Sequence, residues 1–517
     1  MKFRAKFCGG CNPRYDRGKA YNTLKERLKE KGIDLELASE DEKATMLLLI
    51  GGCSNCCPSY KEFKLKKGVI KMWDESHIDK VIDKVFEEKK CTAKEAVQSI
   101  KSNDRVVFAH AVAEPTSLVD AMVENKEAYE NVTISHMFSF GKGEYSLPEN
   151  SKHFRYEGWF NSPNTRKSTE LGHGDYVPAF FHQVPSLIRR GVLPVDVVMV
   201  SLSKPDAHGY CSTGVSSDYT MQAIKSAKLV LAEINDQVPK TFGESFVHIS
   251  EIDKLVEHSH PLFELGLPKI GEVEEAIGKH CASLIEDGAT LQLGIGAIPD
   301  AVLAQLKHKK DLGIHSEMIS DGAVELFEAG VINNSKKSID KGKMVVTFLM
   351  GTKRLYDFVN ENPAVELRPV DYVNHPEVIA KSSNLVCINA CLQVDFMGQV
   401  VSDTIGTRQF SGVGGQVDFV RGAAMAHDEK AKAIIAMPSV AVKKDGTKIS
   451  KIVPYIDHGA AVTTSRHDTD YIVTEYGIAE MVGKTMKDRA RSLINIAHPD
   501  FRDELKAEFE KRFNVKF

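Results

Sequence analysis

The chain has 517 residues, 42% hydrophobic and 27% charged, a globular composition that excludes bulk disorder and a fibrous repeat. At about 100–200 residues per domain, the length predicts roughly three domains. The 67 basic and 71 acidic side chains leave a net charge of −4, so no nucleic-acid partner is expected, because such a protein usually carries a basic excess.

Residues 1–72 read as a small α/β unit. Phe3 to Phe7 is a short strand. Gly18 to Lys31 is a helix with Tyr21, Leu24 and Leu28 at helical spacing, and Ala44 to Ile50 is an apolar run of strand length. Half of the ten cysteines fall here: Cys8, Cys11, Cys53, Cys56 and Cys57. In a parallel sheet the two strands end on the same edge, so these thiols would converge there. CxxC followed by CxxCC supports a Zn²⁺ or iron–sulfur site; a thiol-redox switch and a docking module are the alternatives. The start of the chain has charge but no apolar signal core, and Met46 to Ile50 is too short to span a bilayer. A cytoplasmic protein with reduced thiols and no membrane contact is therefore expected. Lys61 to Lys67 reads as a solvated loop. Ile78 to Glu88 reads as an amphipathic helix leading into the next unit.

The rest of the chain holds an internal repeat. Residues 93–136 match 277–320 at an offset of 184. Val97 and Ile100 match Cys281 and Leu284 on a helix face, and Val106 to Ala109 match Thr290 to Leu293 as a buried strand. Pro115 matches Pro299 at the start of the next helix, and Asn131 to Ile134 match His315 to Met318 as the next strand. Each copy opens helix–strand–loop–helix–strand, which implies a parallel sheet covered by helices. The expected fold class is α/β: two similar domains, 73–268 and 269–517, after the cysteine-rich unit, with the site between the halves.

The copies differ at two places. The loop His110 to Pro115 has no glycine, whereas Gly294-Ile295-Gly296-Ala297-Ile298 has two, which lets backbone N–H groups approach a phosphate or an oxyanion. Thr133 is matched by Glu317, a carboxylate inside a segment that otherwise reads as a buried strand. Three readings of Glu317 stand: a structural or satisfied buried acid, a ribose-binding acid after a dinucleotide loop, and a nucleophile beside glycine-loop donors. Pro299 in place of a third glycine weakens the second. The cluster Ser411-Gly-Val-Gly-Gly-Gln-Val-Asp-Phe419 is a backbone nest that favours the third.

Long segments carry a family resemblance: LQLGIGAIPDAV, GIHSEMISDG, PAVELRPVDYVNHPE, VDFMGQVVSDTIGTRQFSGVGGQVDFVRG and AAVTTSRHDTDYIVTEYGIA. Residues from about 78 to 517 resemble the 4-hydroxybutyrate CoA-transferases, in the acetyl-CoA hydrolase/transferase branch of the family I CoA-transferases. The resemblance implies a CoA-transferase working between acetyl-CoA and 4-hydroxybutyrate, or a similar short-chain acid such as butyrate, with an acyl-CoA hydrolase using the same glutamate as the alternative. It implies that Glu317 is the catalytic glutamate, that Gly294 to Ile298 form the CoA loop, and that the Gly415 amide serves the oxyanion hole and CoA site. It places Asn374 near the glutamyl thioester, Ser411 beside CoA, and His110 and Gln292 near the acyl and carboxylate pocket. It implies no cofactor for catalysis, CoA being a substrate, and a homodimer.

Overall fold

The computed structural model of the protein describes residues 3–9, 14–30, 33–39, 43–206 and 208–517. The N-terminal unit is a four-stranded parallel sheet in the order Leu35–Leu37, Phe3–Phe7, Lys43–Ile50, Lys64–Met72. The helix Arg17–Glu30 turns Leu24 and Leu28 into its core. The expected lysine-rich loop is instead largely strand. Ile70 and Met72 are buried on this edge strand, and lysines are common on edges because they discourage pairing with other chains. The helix His77–Glu87 buries Ile78, Val81, Ile82 and Val85 at helical spacing and packs on Arg17–Glu30 and on the edge strand. It thus belongs to this unit and does not merely lead out of it.

Two larger sheets follow. The first has seven parallel strands in the order Lys254–Glu257, Leu229–Ile234, Val197–Leu202, Arg105–Phe108, Val132–Ser135, Phe154–Gly158, Gly174–Tyr176. Its interior strand Val197–Leu202 is buried at every position, as a strand covered on both faces must be. The second sheet runs Gly313–Ile314, Thr290–Leu293, Leu385–Ala390, Lys432–Ala436, Tyr471–Thr474, Gly477–Glu480. Read in opposite directions, the two sheets share one order over five strands, so the repeat extends well beyond its detectable sequence match.

The register corrects one equivalence. Ile134 stands opposite Val106, and Gly313 opposite Thr290. With Val106 and Thr290 as counterparts, Glu317 corresponds to Phe138 and not to Thr133, because the second connection is shorter. Glu317 therefore lies beyond the carboxyl end of its strand and not inside it.

A small parallel sheet ties the halves together: Phe242–Gly243 pairs with Val365–Leu367, which pairs with Met344–Val346. Gly243 adopts φ +105°, and a Cβ there would overlap the Leu367 carbonyl. Gly243→Ala is expected to lower the Tm by several degrees, since both the backbone strain and the close approach oppose a side chain. An unchanged Tm would show that this contact does not tie the halves.

Candidate active site

Glu317 is held by its backbone on both sides. Lys337 Nζ donates to the Ile314 carbonyl at 2.7 Å, and the Glu317 carbonyl accepts the N–H groups of Thr347 and Phe348 at 3.0 and 3.2 Å. His315 Nε2 donates to the Val373 carbonyl at 2.8 Å. Burial lowers His315 to about 4, so this ring is neutral and serves as a fixed spacer. It joins the glutamate segment to the short helix Val370–Val373, which is followed by Asn374.

Asn374 Nδ2 donates to Glu317 Oε2 at 2.8 Å. The backbone of Gly415 lies against the same carboxylate. Gly415 caps the helix Gln416–Ala424, and a Cβ there would overlap both Glu317 Oε2 and Asn374 Nδ2. The position requires glycine for space, since its φ of −96° suits any residue. Burial pushes the Glu317 carboxyl up to about 7. The bond from Asn374 opposes the rise, the nearby charges of Asp418 and Asp218 add to it, and the Gly415 N–H opposes it.

Both aspartates are buried and paired with histidines. His110 Nδ1 lies 2.8 Å from Asp218 Oδ2, and His182 Nδ1 lies 2.6 Å from Asp418 Oδ1. The His110 ring packs against Phe348 and Phe181 at centroid distances of 4.4 and 5.6 Å. A cleft of about 320 Å³ opens in front of the glutamate, lined by His110, Phe138 and Phe160 from the first half and by Gln292, Gly294, Ile295, Phe348, Ser411 and Gly415 from the second. The halves touch here: the Asn161 N–H donates to the Ser411 carbonyl at 3.3 Å.

The structure thus brings Glu317, Gly415, His110, Gln292, Gly294, Ile295 and Ser411 to one cleft, with Asn374 against the carboxylate. Gly296, Ala297 and Ile298 lie outside its lining and open the helix Ala297–Gln305. Gln292 exchanges amide hydrogen bonds with Asn389, the shorter at 3.1 Å. Sequence reasoning missed Asp218, Asp418, His182 and the apolar wall of Phe138, Phe160 and Phe348. Asp418 was in plain view within the glycine-rich segment; the others lie in segments with no distinguishing pattern.

The N-terminal thiols sort into different roles. Cys8 Sγ accepts from Gly52 N–H at 3.3 Å and Arg17 Nη1 at 3.1 Å. Cys56 Sγ faces the carbonyls of Leu49 and Met72 at 3.7 and 3.5 Å, as a thiol donor would, and burial raises its pKa. Cys53 is half-buried, Cys57 is exposed, and Cys11 lies outside the described residues. Among the described residues these thiols do not place three ligand atoms within 4.8 Å of one another; Glu233, His258 and His260 do. The described cysteines by themselves do not fit a Zn²⁺ or cluster site. No described helix is long and apolar enough to cross a membrane.

Most of the chain is similar to known proteins. Residues 76–264 match the acetyl-CoA hydrolase/transferase N-terminal domain and residues 351–509 its C-terminal domain. Residues 2–89 match an uncharacterised protein family. The chain is 60% identical over 431 residues to the 4-hydroxybutyrate coenzyme A transferase of Clostridium kluyveri, covering 83% of this chain and 99% of that protein. It is 46% identical to the succinyl-CoA:cyclohexane-1-carboxylate CoA transferase of Geobacter metallireducens, covering 84% and 97%. Among solved structures, a 4-hydroxybutyrate CoA-transferase from Porphyromonas gingivalis superimposes with a TM-score of 0.71 at 42% identity, covering 83% of this chain and all of that one.

The raised Glu317 value has a consequence for stability. The protonated form is favoured in the folded chain, so its contribution is fully present below the ordinary carboxyl value of about 4.5 and is lost as pH rises through about 7. Glu317→Gln removes the buried charge. The variant is expected to melt a few degrees above the native chain at about pH 8, with the gap closing toward about pH 4. A gap independent of pH would contradict a desolvated carboxylate.

Proposed function

The chain belongs to the acetyl-CoA hydrolase/transferase family, and from that membership we propose that it moves CoA between acetyl-CoA and 4-hydroxybutyrate, or a similar short acid such as butyrate, through a glutamyl-CoA thioester on Glu317. The observation that carries this reading is a buried carboxylate held by Asn374 and packed against Gly415, lining a small, largely apolar cleft.

Glu317 attacks the acyl-CoA carbonyl. The tetrahedral intermediate expels CoA thiolate and leaves an acyl-glutamyl anhydride. The thiolate then attacks the glutamyl carbonyl, the first acid departs as its carboxylate, and CoA is left on Glu317 as a thioester. The incoming acid runs both steps in reverse. A thioester is exchanged for a thioester, so the energy of the bond is retained. Each intermediate formed on the glutamyl carbonyl carries an oxyanion; the Asn374 amide is the donor already in contact with that group, and the Gly415 N–H beside it is the second donor we assign. The half-buried loop Gly294 to Ile298 opens the helix Ala297–Gln305 toward an anion, the role we assign to it for the CoA phosphates. His110, Phe138 and Phe348 leave a short, mostly apolar space for the acyl chain. Binding of the non-reacting part of CoA can be used to lower the barriers at the thioester.

We further propose that the catalytic part comprises 73–268 and 269–517, that the preceding unit is separable, that the chain is cytoplasmic, and that it forms a homodimer as the family resemblance implies. Because the helix His77–Glu87 packs with the N-terminal sheet, the cleaner cut falls after it. A chain beginning at Glu88 is expected to transfer CoA at an undiminished rate; a folded but inactive truncated chain would show that the N-terminal unit takes part in catalysis.

Glu317→Ala is expected to abolish transfer, and Glu317→Asp to leave a trace, because its carboxylate retreats by one methylene. Borohydride should inactivate enzyme treated with acyl-CoA by reducing the glutamyl thioester. Full activity in Glu317→Ala would overturn the assignment. Gly415→Ala should cost about 10²–10³ in kcat by displacing the carboxylate and its donor. Only ionised Glu317 attacks, so kcat/KM for acyl-CoA should fall about tenfold per unit as pH drops below about 7. Release of CoA in the absence of an acceptor acid, at the rate seen with one, would favour hydrolysis over transfer.

A further inference from the structure

We propose that Glu233, His258 and His260 form a binding site for a divalent transition cation of the Zn²⁺ type, which pins the segment leading from the first half to the second. The site is separate from the cleft, because none of the three residues lines it.

The three residues meet at the carboxyl end of two neighbouring parallel strands. Glu233 is the penultimate residue of Leu229–Ile234, and the partner strand Lys254–Glu257 runs directly into His258. The His258 N–H donates to the Ile234 carbonyl at 3.1 Å, which carries the pairing one residue further. One ligand atom from each residue lies within 4.8 Å of the other two, and the His258 and His260 ring centroids are 4.9 Å apart. A Zn²⁺ ion with bonds of about 2.0–2.2 Å holds its donors about 3.4 Å apart, so small side-chain rotations complete the site. Two imidazoles and a carboxylate suit Zn²⁺, Co²⁺ or Ni²⁺ better than Mg²⁺ or Ca²⁺, which prefer oxygen alone.

The ligands are oriented by neighbours in the way metal ligands are. Glu233 is fully buried. Its Oε2 accepts from the Ser117 N–H at 2.9 Å and from Ser117 Oγ at 2.5 Å, in the first turn of the helix Thr116–Glu124. Its Oε1 is left to face His260. Asn235 clamps the His260 backbone, accepting from its N–H at 3.3 Å and donating to its carbonyl at 2.9 Å. His260 Nδ1 lies 3.0 Å from the Pro261 carbonyl. A carbonyl only accepts, so Nδ1 carries a hydrogen and Nε2 is the nitrogen left for a cation. Nε2 stands 2.9 Å from Glu233 Oε1. The cation takes the place of the hydrogen between these two atoms, and the proton leaves to solvent. His260 is the only ion-pair partner of Glu233 among the described residues, so a divalent ion would supply the fixed positive charge that a buried carboxylate needs. His258 is exposed, which gives the cation a path from solvent.

The segment that begins at His258 ties the first half to the second. Phe263 stacks on Phe140 with ring centroids 3.9 Å apart. The Phe263 carbonyl accepts from Tyr356 Oη at 2.8 Å, and the Leu265 N–H donates to the Gly351 carbonyl at 2.9 Å. A cation at the head of this segment fixes where the chain leaves the first sheet. An ion that binds the folded chain alone also stabilises it.

Co²⁺ added to chelator-treated full-length protein tests the site, because its spectrum distinguishes these ligands from the N-terminal thiols. Native protein is expected to bind Co²⁺ at one site at least about tenfold more tightly than His258→Ala or His260→Ala. The difference spectrum should show ligand-field bands without a thiolate-to-cobalt charge-transfer band. The Tm of the native chain should rise by several degrees with Co²⁺ or Zn²⁺, and that rise should be lost in both variants. His258 is exposed, so His258→Ala decides the matter if the His260 variant does not fold. No Co²⁺ bound, a spectrum of thiolate character alone, or equal binding in native and folded His258→Ala protein would overturn the proposal and leave Glu233 and His260 as an ion pair only.

Discussion

Everything at this site depends on an ionisable carboxyl placed where ionisation is disfavoured. Burial pushes Glu317 up to about 7, which leaves it partly ionised near neutral pH and less stabilised by solvent than an exposed glutamate. The Asn374 and Gly415 donors prevent the rise from going further. The two aspartates behind it, each tied to a histidine, add to the rise. In the proposed reaction a carboxylate so poised is a better nucleophile than one in water, and the Asn374 amide meets the oxyanions that form on its carbonyl.

The fold makes this arrangement available because the chain uses one sheet order twice. Parallel strands bring their carboxyl ends to one edge, where ligands of open α/β sheets bind. The two edges meet across the cleft, one contributing His110 and Phe138 and the other Glu317 and the glycine loops. The counterpart positions Phe138 and Glu317 face the same space. One half supplies apolar wall where the other supplies a carboxyl group. The small sheet built from Phe242–Gly243, Val365–Leu367 and Met344–Val346 crosses between the halves and keeps their edges in register.

Much of this was legible in the sequence. The apolar runs, the glycine loop before Pro299 and the isolated acid at Glu317 report locally enforced physics: burial, backbone approach and charge. The α/β fold class and the paired domains followed from the repeat. Three features were not legible. The strand Lys64–Met72 hid behind its lysines, because an edge strand tolerates charges that imitate a loop. The equal offset of the repeat placed Glu317 within a strand, whereas the shorter connection moves it past the strand's end; pairing register is set by tertiary contacts that one sequence does not display. The His182–Asp418 contact spans 236 positions, so nothing local marks it. The cysteine spacing suggests convergence; of these thiols Cys8 accepts hydrogen bonds, Cys56 faces carbonyls, and Cys11 lies outside the described residues.

The central claim is that Glu317 itself exchanges an oxygen with the acid it serves. In the proposed sequence the incoming carboxylate attacks the glutamyl thioester, and one of its oxygens remains on Glu317 when CoA attacks the acyl carbonyl. Mass spectrometry of the peptide carrying Glu317, after a single turnover with 4-hydroxybutyrate labelled in its carboxylate with oxygen-18, reads this directly. The account predicts one heavy oxygen in the Glu317 side chain. An unlabelled peptide after demonstrated formation of acyl-CoA would contradict it.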